Sequence, residues 1–93
     1  MNIELACWVL GDKDCSVDVL NDLIDETCLS DWKNVNQIDE KIWVEDVNGK
    51  YWGALVIWND DKPPLMSLPK NAPKEILGRD PDIRFFFNIV SKT

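Results

Sequence analysis

Residues 38–59 read IDEKIWVEDVNGKYWGALVIWN, two runs of alternating apolar and polar residues joined at Asn48-Gly49. An Asn-Gly pair supplies the positive φ angles of a two-residue type I′ turn, so the stretch predicts a β-hairpin. With these two residues at the centre of the turn, pairing proceeds outward one residue at a time. The predicted register places Val47 opposite Lys50, Glu45 opposite Trp52, Trp43 opposite Ala54, Lys41 opposite Val56, and Asp39 opposite Trp58.

This register divides the side chains between two unlike faces. We call the first the tryptophan face, since it carries Trp43, Trp52 and Trp58 with Lys41 and Glu45 set among them. The second, the aliphatic face, pairs Ile42 with Leu55 and Val44 with Gly53. A solvated sheet face is not expected to carry three tryptophans. Both faces are therefore predicted to be at least partly covered.

The composition bounds the class of protein. The 93 residues predict a single domain, 1–93, large enough for a hydrophobic core. Ten basic against seventeen acidic residues argue against nucleic acid as a partner. Three cysteines without a C-x-x-C pair predict a reduced, cytoplasmic protein. The opening segment MNIELACWVL carries Glu4 and is too short to span a bilayer, so it is interpreted as a strand and no membrane association is expected.

The remaining chain alternates strands and helices. Residues 3–10 predict a strand, and Ser16 is the predicted N-cap of an amphipathic helix that continues to Cys28. Residues 29–36 are interpreted as a connection, and residues 60–64, DDKPP, stop the hairpin's second strand. Prolines break residues 65–79 into two short helical pieces, the second capped by Asn71 and ended by Gly78. Residues 84–90 predict a last strand, apolar on both sides and so central or buried in a dimer.

The order β-α-β-β-α-β predicts an α+β fold. It is typical of a ferredoxin-like antiparallel sheet with both helices on one face. The simplest cover for the other face is a second copy of the sheet across a two-fold axis, so a homodimer is expected.

Most catalytic signatures are absent from the sequence. The chain has no histidine, which excludes imidazole bases and histidine-bearing metal sites, and it has neither a G-x-G-x-x-G motif nor a P-loop. No cofactor and no metal are expected. The tryptophan face could instead form the floor of a pocket for a flat aromatic molecule, with Glu45 as a desolvated proton acceptor and Lys41 beside Trp43. The alternative is that these rings belong to the core or to a subunit interface, with Lys41 and Glu45 paired across the sheet.

Two segments resemble the dimeric α+β-barrel proteins of the antibiotic-biosynthesis-monooxygenase-like superfamily, closest to its subgroup of small mono-oxygenases. They are residues 41–45, KIWVE, and residues 53–60, GALVIWND. The resemblance implies a ferredoxin-like protomer, a homodimer, and a pocket between sheet and helices in which some relatives oxidise polycyclic phenols without a cofactor. It also implies that Trp58 is a pocket residue on the helix side of the sheet. Cys7 and Val9 stand where active relatives carry an asparagine, and histidine-ligated haem degradation is not expected.

Two functional hypotheses follow. The first is a cofactor-independent mono-oxygenase acting on a small aromatic or polycyclic molecule. The second is a non-enzymatic ligand-binding or interaction homodimer of the same fold. The candidate catalytic residues are Trp58 and Glu45, and the candidate ligand-binding residues are Trp43, Lys41, Trp52 and Asn59.

Overall fold

The computed structural model describes residues 1–59 and 61–93, apart from the side chains of Glu26, Thr27 and Leu65. Asp60, the last residue of the family-like segment and the first of the predicted stop, lies outside the described residues. The elements in chain order are β1 (Asn2–Val9), α1 (Val17–Asp22), α2 (Glu26–Lys33), β2 (Ile38–Glu45), β3 (Tyr51–Trp58), a 3₁₀ turn (Leu65–Ser67), α3 (Ala72–Leu77) and β4 (Ile83–Asn88).

The four strands form one antiparallel sheet in the order β2-β3-β1-β4. With the short helices, this confirms the predicted α+β class. β1 lies inside the sheet, where Leu5 is opposite Leu55 of β3 and Phe85 of β4. β4 lies at an edge, so the first of its two predicted placements, a central strand, is wrong, and burial in a dimer stays a prediction. Its three phenylalanines are each more than half exposed, at 54%, 56% and 53%.

The predicted hairpin register is confirmed over most of its length. Lys41 lies opposite Val56 and Glu45 opposite Trp52, and the intervening pairs follow in single steps. The prediction fails at the outer end, where Ile38 rather than Asp39 pairs with Trp58. The register shifts between Ile38 and Glu40, because an extra residue on β2 forms an irregularity of the β-bulge type.

The turn of the hairpin is not the type I′ turn predicted. Gly49 has a positive φ of 71°, whereas no residue other than glycine has a positive φ in the described chain. The Asp46 N–H donates to the Tyr51 carbonyl at 2.8 Å, which closes a loop of residues 47–50. The Asp46 carboxylate accepts the N–H groups of Asn48 and Lys50 inside this loop, each at 3.3 Å. The longer loop adds one residue to each side of the turn, so the strand register is preserved.

The single helix predicted from Ser16 to Cys28 is wrong, because two short helices occupy this region. α1 begins at the predicted cap, where Ser16 Oγ accepts the Val19 N–H at 3.4 Å, and ends at Asp22. Asp25 Oδ1 accepts the Cys28 N–H at 2.9 Å and caps α2, which runs to Lys33 through residues predicted as a connection. A side chain that caps a new helix competes with continuation of the old one.

α3 agrees with its prediction. Asn71 Oδ1 accepts the Lys74 N–H at 3.1 Å as the N-cap, and Pro73 lies in the first turn. Gly78 ends the helix with a φ of 72°, the left-handed conformation typical of a helix C-cap.

The hydrophobic core lies on the tryptophan face, under α1. Trp8 is brought to this face by its pairing with Trp52, and both pack with Leu20 of α1 in a fully buried cluster. The aliphatic face is open to solvent, as shown by the exposed side chains of Val9, Ile42, Val44, Phe85 and Phe87. Within residues 1–59 and 61–93, none of the helices has the length and apolar character that crossing a bilayer requires.

Candidate functional site

A cavity of about 1080 Å³ opens on the tryptophan face, beside the buried core. The sheet forms its floor, and residues from the 62–84 segment form much of its wall. The floor residues come from β1, β2 and β3 and are Glu4, Ala6, Trp8, Lys41, Trp43, Ala54, Val56 and Trp58. This volume is large enough for a drug-sized organic molecule.

Two alanines create the space above the sheet. Ala6 and Ala54 lie directly opposite each other in β1 and β3, with Arg84 beyond Ala6 and Trp43 beyond Ala54. Side chains of this size leave room above the middle of the sheet, although Ala54 itself is buried at 7% exposure, while larger residues stand at the edges. The adjacent row containing Trp8 and Trp52 is instead covered by α1. The tryptophan face is therefore divided into a packed half and an open half.

A buried carboxylate stands at one end of the open half. Glu4 is only 3% exposed, and its Oε1 accepts the indole N–H of Trp58 at 3.1 Å. Its Oε2 is bound by the Lys62 ammonium at 3.0 Å and lies 3.3 Å from a guanidinium nitrogen of Arg84. Burying a carboxylate is unfavourable unless it gains such partners. Glu4 therefore joins β1, β3 and β4 to the segment that closes the cavity.

Lys41 projects into the cavity between two aromatic rings. Its ammonium nitrogen lies 3.1 Å from the ring centroid of Trp32 and 4.5 Å from that of Trp43. The pKa of Lys41 falls to about 7, first because burial desolvates the ammonium and also because the Lys62 charge repels it. Glu4 and Cys28 act in the opposite direction and raise this pKa. A group with a pKa near 7 can gain or lose a proton close to neutral pH, so the Lys41 amine can accept a proton from a bound molecule and its ammonium can bind an anion.

The buried indole groups all have hydrogen-bond acceptors. Trp8 donates to the Arg79 carbonyl at 3.0 Å and Trp52 donates to Asn21 Oδ1 at 2.9 Å, in addition to the Trp58 bond with Glu4. The Trp43 ring stacks on Trp52, with centroids 5.4 Å apart and an interplanar angle of 28°. The rings are therefore held in defined positions before any ligand binds.

The predicted site residues divide into two groups. Trp58, Trp43 and Lys41 line the cavity, and Trp58 lies on the helix side of the sheet, as the family resemblance implied. Trp52 is 1% exposed and belongs to the core cluster under α1. Glu45 is exposed beyond Trp52, where its carboxylate accepts from the Asn21 amide at 3.5 Å. Asn59 is also exposed and donates to the Asn36 carbonyl. The structure therefore does not bring these three residues to the cavity.

No model of a known protein family and no curated protein matches this chain. The family resemblance of residues 41–45 and 53–60 therefore stays a prediction, and functional inference rests on the cavity itself.

The most important residues missed from the sequence are Glu4, Lys62 and Arg84. The sequence did indicate a role for Glu4, because it lies among the apolar residues of the first strand, and a charged residue on a covered face needs a partner. The partners could not be named, since they depend on the pairing of β1 with strands more than forty residues away. In the described part of the chain, no cluster of three or more His, Cys, Asp or Glu side chains is arranged to hold a metal.

Proposed function

We propose that this protein binds a small aromatic molecule in the cavity between its sheet and the 62–84 segment. The observation that carries the proposal is an alanine floor bordered by fixed aromatic rings. Ala6 and Ala54 leave a flat surface on which a planar ligand can lie, and Trp43 and Trp58 bound it. Contact with the faces or edges of indole rings favours aromatic ligands beyond simple burial of apolar area.

We further propose that the domain has the ferredoxin-like topology and assembles as a homodimer. The order β2-β3-β1-β4 with all neighbours antiparallel supports this topology. The open aliphatic face supports a second copy as its cover, because a contiguous apolar surface of this kind is typical of an interface. Cys7, Cys15 and Cys28 are all free, which supports the proposed cytoplasmic location.

The binding proposal is tested by calorimetric titration with 2-naphthol, using two matched variants. Ala54→Phe places a phenyl ring on the cavity floor, whereas Val44→Phe places the same ring on the aliphatic face, on the other side of the sheet. We expect Ala54→Phe to weaken binding at least about tenfold and Val44→Phe to leave it unchanged. Thermal unfolding of both variants checks that the fold is retained.

Failure of the wild type to bind 2-naphthol and similar bicyclic aromatics would overturn the proposal. A larger effect of Val44→Phe would instead place the ligand on the aliphatic face, and equal weakening by both variants would contradict specific binding on the cavity floor. The dimer is tested separately by sedimentation equilibrium, where we expect a dimer at micromolar concentration. A Phe85→Ser, Phe87→Ser double variant should dissociate it, because both rings lie on the aliphatic face.

A second candidate function is cofactor-independent oxygenation of a dihydroxy-aromatic substrate. The observation that favours it is the position of Lys41 in the cavity between the Trp32 and Trp43 rings, where burial lowers its pKa to about 7 and allows the amine to act as a base. Removing the proton of a phenol produces the electron-rich phenolate that can react directly with oxygen. In this function Lys41 would accept the phenolic proton. The resulting Lys41 ammonium would then stabilise the phenolate by its positive charge.

Oxygen consumption with a panel of polycyclic quinols tests this candidate in the presence of a chelator. Uptake above the spontaneous rate should be abolished by Lys41→Met and reduced by Trp58→Ala, while Glu45→Gln should have little effect because Glu45 lies outside the cavity. If the wild type consumes oxygen no faster than the spontaneous rate with every quinol, the oxygenase candidate is wrong. Tight binding of the same quinols would then indicate a ligand-binding protein without turnover.

A further inference from the structure

The basic residues of this acidic protein are concentrated around the cavity. The whole chain has ten basic and seventeen acidic residues. Six of the ten basic residues line the cavity, namely Lys41, Lys62, Lys70, Lys74, Arg79 and Arg84. Among the described residues, only three acidic side chains line it, namely Glu4, Glu75 and Asp80. A concave site of one charge sign attracts ligands of the opposite sign, and this effect is largest when the rest of the surface has the other sign.

Three cations of the cavity lining, Lys70, Lys74 and Arg79, have carboxylate partners of their own. Lys70 pairs with Glu75 at 3.0 Å, and Lys74 pairs with Asp80 at 2.7 Å. Arg79 is bound by two carboxylates from outside the cavity lining, Asp14 and Asp82. These side chains are consequently occupied by the protein's own anions.

The other three cations of the cavity lining, Lys41, Lys62 and Arg84, which we call the inner cations, are different, because only two of them have a carboxylate in contact and they share it. Lys62 and Arg84 both bind Glu4, so this cluster retains one excess positive charge. In the described part of the chain, no carboxylate lies within 4.0 Å of the Lys41 ammonium, whose recorded contacts are the faces of Trp32 and Trp43. The inner end of the cavity therefore has more positive charge than its own carboxylate can balance.

We propose that the ligand is an aromatic monocarboxylate, with its ring on the alanine floor and its carboxylate paired with Lys41. This inference rests on the proposed binding function and specifies its ligand class. A single ammonium matches the charge of one carboxylate, whereas a phosphate dianion carries a second negative charge, and both arginines of the cavity, which could bind it bidentately, are already held by carboxylates. The aromatic rings of the cavity then contact one end of the ligand, and the Lys41 ammonium binds the carboxylate at its other end.

Binding of such an anion favours the ammonium form of Lys41. Because burial depresses the pKa of this group to about 7, protonation and carboxylate binding are linked. The titratable and charged groups that act on Lys41 are the Cys28 thiol, whose own pKa is raised by burial, and the side chains of Glu4 and Lys62. The affinity for a carboxylate should accordingly decrease as the pH rises above 7, over a range in which the ligand itself remains fully ionised.

The test compares 2-naphthoate with 2-naphthamide, which has nearly the same shape without the charge. Calorimetric titrations are carried out at pH 6.5 and pH 8.5 with the wild type, Lys41→Met and Lys92→Met. Lys92→Met is the control, because it makes the same change of charge at an exposed position near the C-terminus. We expect the wild type to prefer naphthoate by about tenfold or more at pH 6.5, and this preference to shrink at pH 8.5. Lys41→Met should lose the preference while still binding naphthamide, and Lys92→Met should keep it.

Each of the other outcomes would contradict a specific part of the proposal. Equal binding of naphthoate and naphthamide by the wild type would overturn the carboxylate assignment and leave the aromatic site in place. Retention of the preference in Lys41→Met would overturn the role of Lys41. Binding of neither compound would overturn the aromatic site and this inference with it. The comparison of the two ligands on the wild type requires no variant, so it decides the ligand class even if Lys41→Met fails to fold.

Discussion

Glu4 on β1 and Trp58 on β3 are joined by a hydrogen bond of 3.1 Å across 54 positions of sequence. The bond connects an indole N–H to a carboxylate that also binds Lys62 and Arg84. Trp58 is thereby fixed by a charged group rather than by apolar packing alone. The same carboxylate holds the two basic side chains at the inner end of the cavity, so fold stability and site geometry depend on one residue.

We predict that Glu4→Gln lowers the free energy of unfolding by about 2–3 kcal/mol, because a neutral amide leaves two partly buried cations without an anion. Urea denaturation at pH 7 measures the loss. Glu75→Gln is the matched control, since Glu75 pairs with Lys70 at the surface, where the two side chains are 60% and 70% exposed. Its effect should stay within about 0.5 kcal/mol. Equal losses in the two variants would contradict a special role for the buried carboxylate.

The hairpin shows what could be predicted from the sequence. Its register follows from the two-residue period of a strand and the position of the turn residues, and it is confirmed from Lys41 to Glu45. The turn type was not predictable in the same way, because the Asp46 carboxylate binds backbone N–H groups within the loop and stabilises a longer connection. The helix break has a similar origin at Asp25, which caps a new helix where apolar spacing predicted continuation.

The site was only partly predictable, for a different reason. Trp43, Lys41 and Trp58 share a face by local periodicity, and all three line the cavity. Glu45 and Trp52 share that face too, but α1 packs over their end of it, and α1 is placed by contacts distant in sequence. Periodicity determines which side of a sheet a residue is on. It does not determine which part of that side is covered by another element.

Lys41 provides a prediction about pH. Its pKa is about 7 in the folded protein against 10.5 for the free group, so the unfolded chain binds more protons between these values and wild-type stability rises with pH there. Lys41→Met removes this dependence. We expect the variant to gain about 1–2 kcal/mol relative to wild type at pH 6, with a smaller gain at pH 9.

Thermal unfolding of wild type and Lys41→Met at the two pH values measures this difference, with Lys50→Met as the exposed control. The Lys41 charge also lowers the pKa of Cys28, so the difference between wild type and Lys41→Met includes this coupling, whereas Lys50→Met leaves it intact. A stability difference that is the same at pH 6 and pH 9 would show that burial of the ammonium costs nothing. In that case the rings of Trp32 and Trp43 would be compensating for the lost hydration.

Gly53 is required by the close approach of β1 and β3. A Cβ at this position would collide with the carbonyl oxygen of Ala6 and would lie 2.7 Å from the Cα of Cys7, both backbone atoms of the neighbouring strand. We predict that Gly53→Ala destabilises the protein by about 2–3 kcal/mol, since the strands must separate. At Gly11 the nearest atom to a Cβ is Asp14 Oδ2 at 3.8 Å, so Gly11→Ala should change stability by less than about 0.5 kcal/mol. Urea denaturation of Gly53→Ala and Gly11→Ala measures the loss in free energy of unfolding for each variant. Similar losses would refute the steric explanation.

Arg79 connects the end of α3 to β1 and to the loop before α1. It donates to Asp14 at 2.8 Å, to Asp82 at 3.1 Å, and to the carbonyl of Val9 at 2.9 Å. Hydrogen bonds from Arg79 hold the pKa of both Asp14 and Asp82 below the ordinary value of 3.8. A carboxylate with a lowered pKa stabilises the fold above its unfolded pKa, and this contribution is lost as the pH falls through the folded pKa.

We therefore predict that Arg79→Met has a lower melting temperature than wild type at pH 7. This difference in melting temperature should shrink once the pH falls below about 4, because wild type then loses the same ion pairs. The bond to the Val9 carbonyl does not titrate, so a smaller deficit should persist in acid. Lys70→Met is the control, because its partner Glu75 is an exposed carboxylate on α3; it should show little deficit at either pH. A deficit of Arg79→Met that is equal at pH 7 and pH 3 would assign the stabilisation to packing and to the Val9 carbonyl rather than to the two carboxylates.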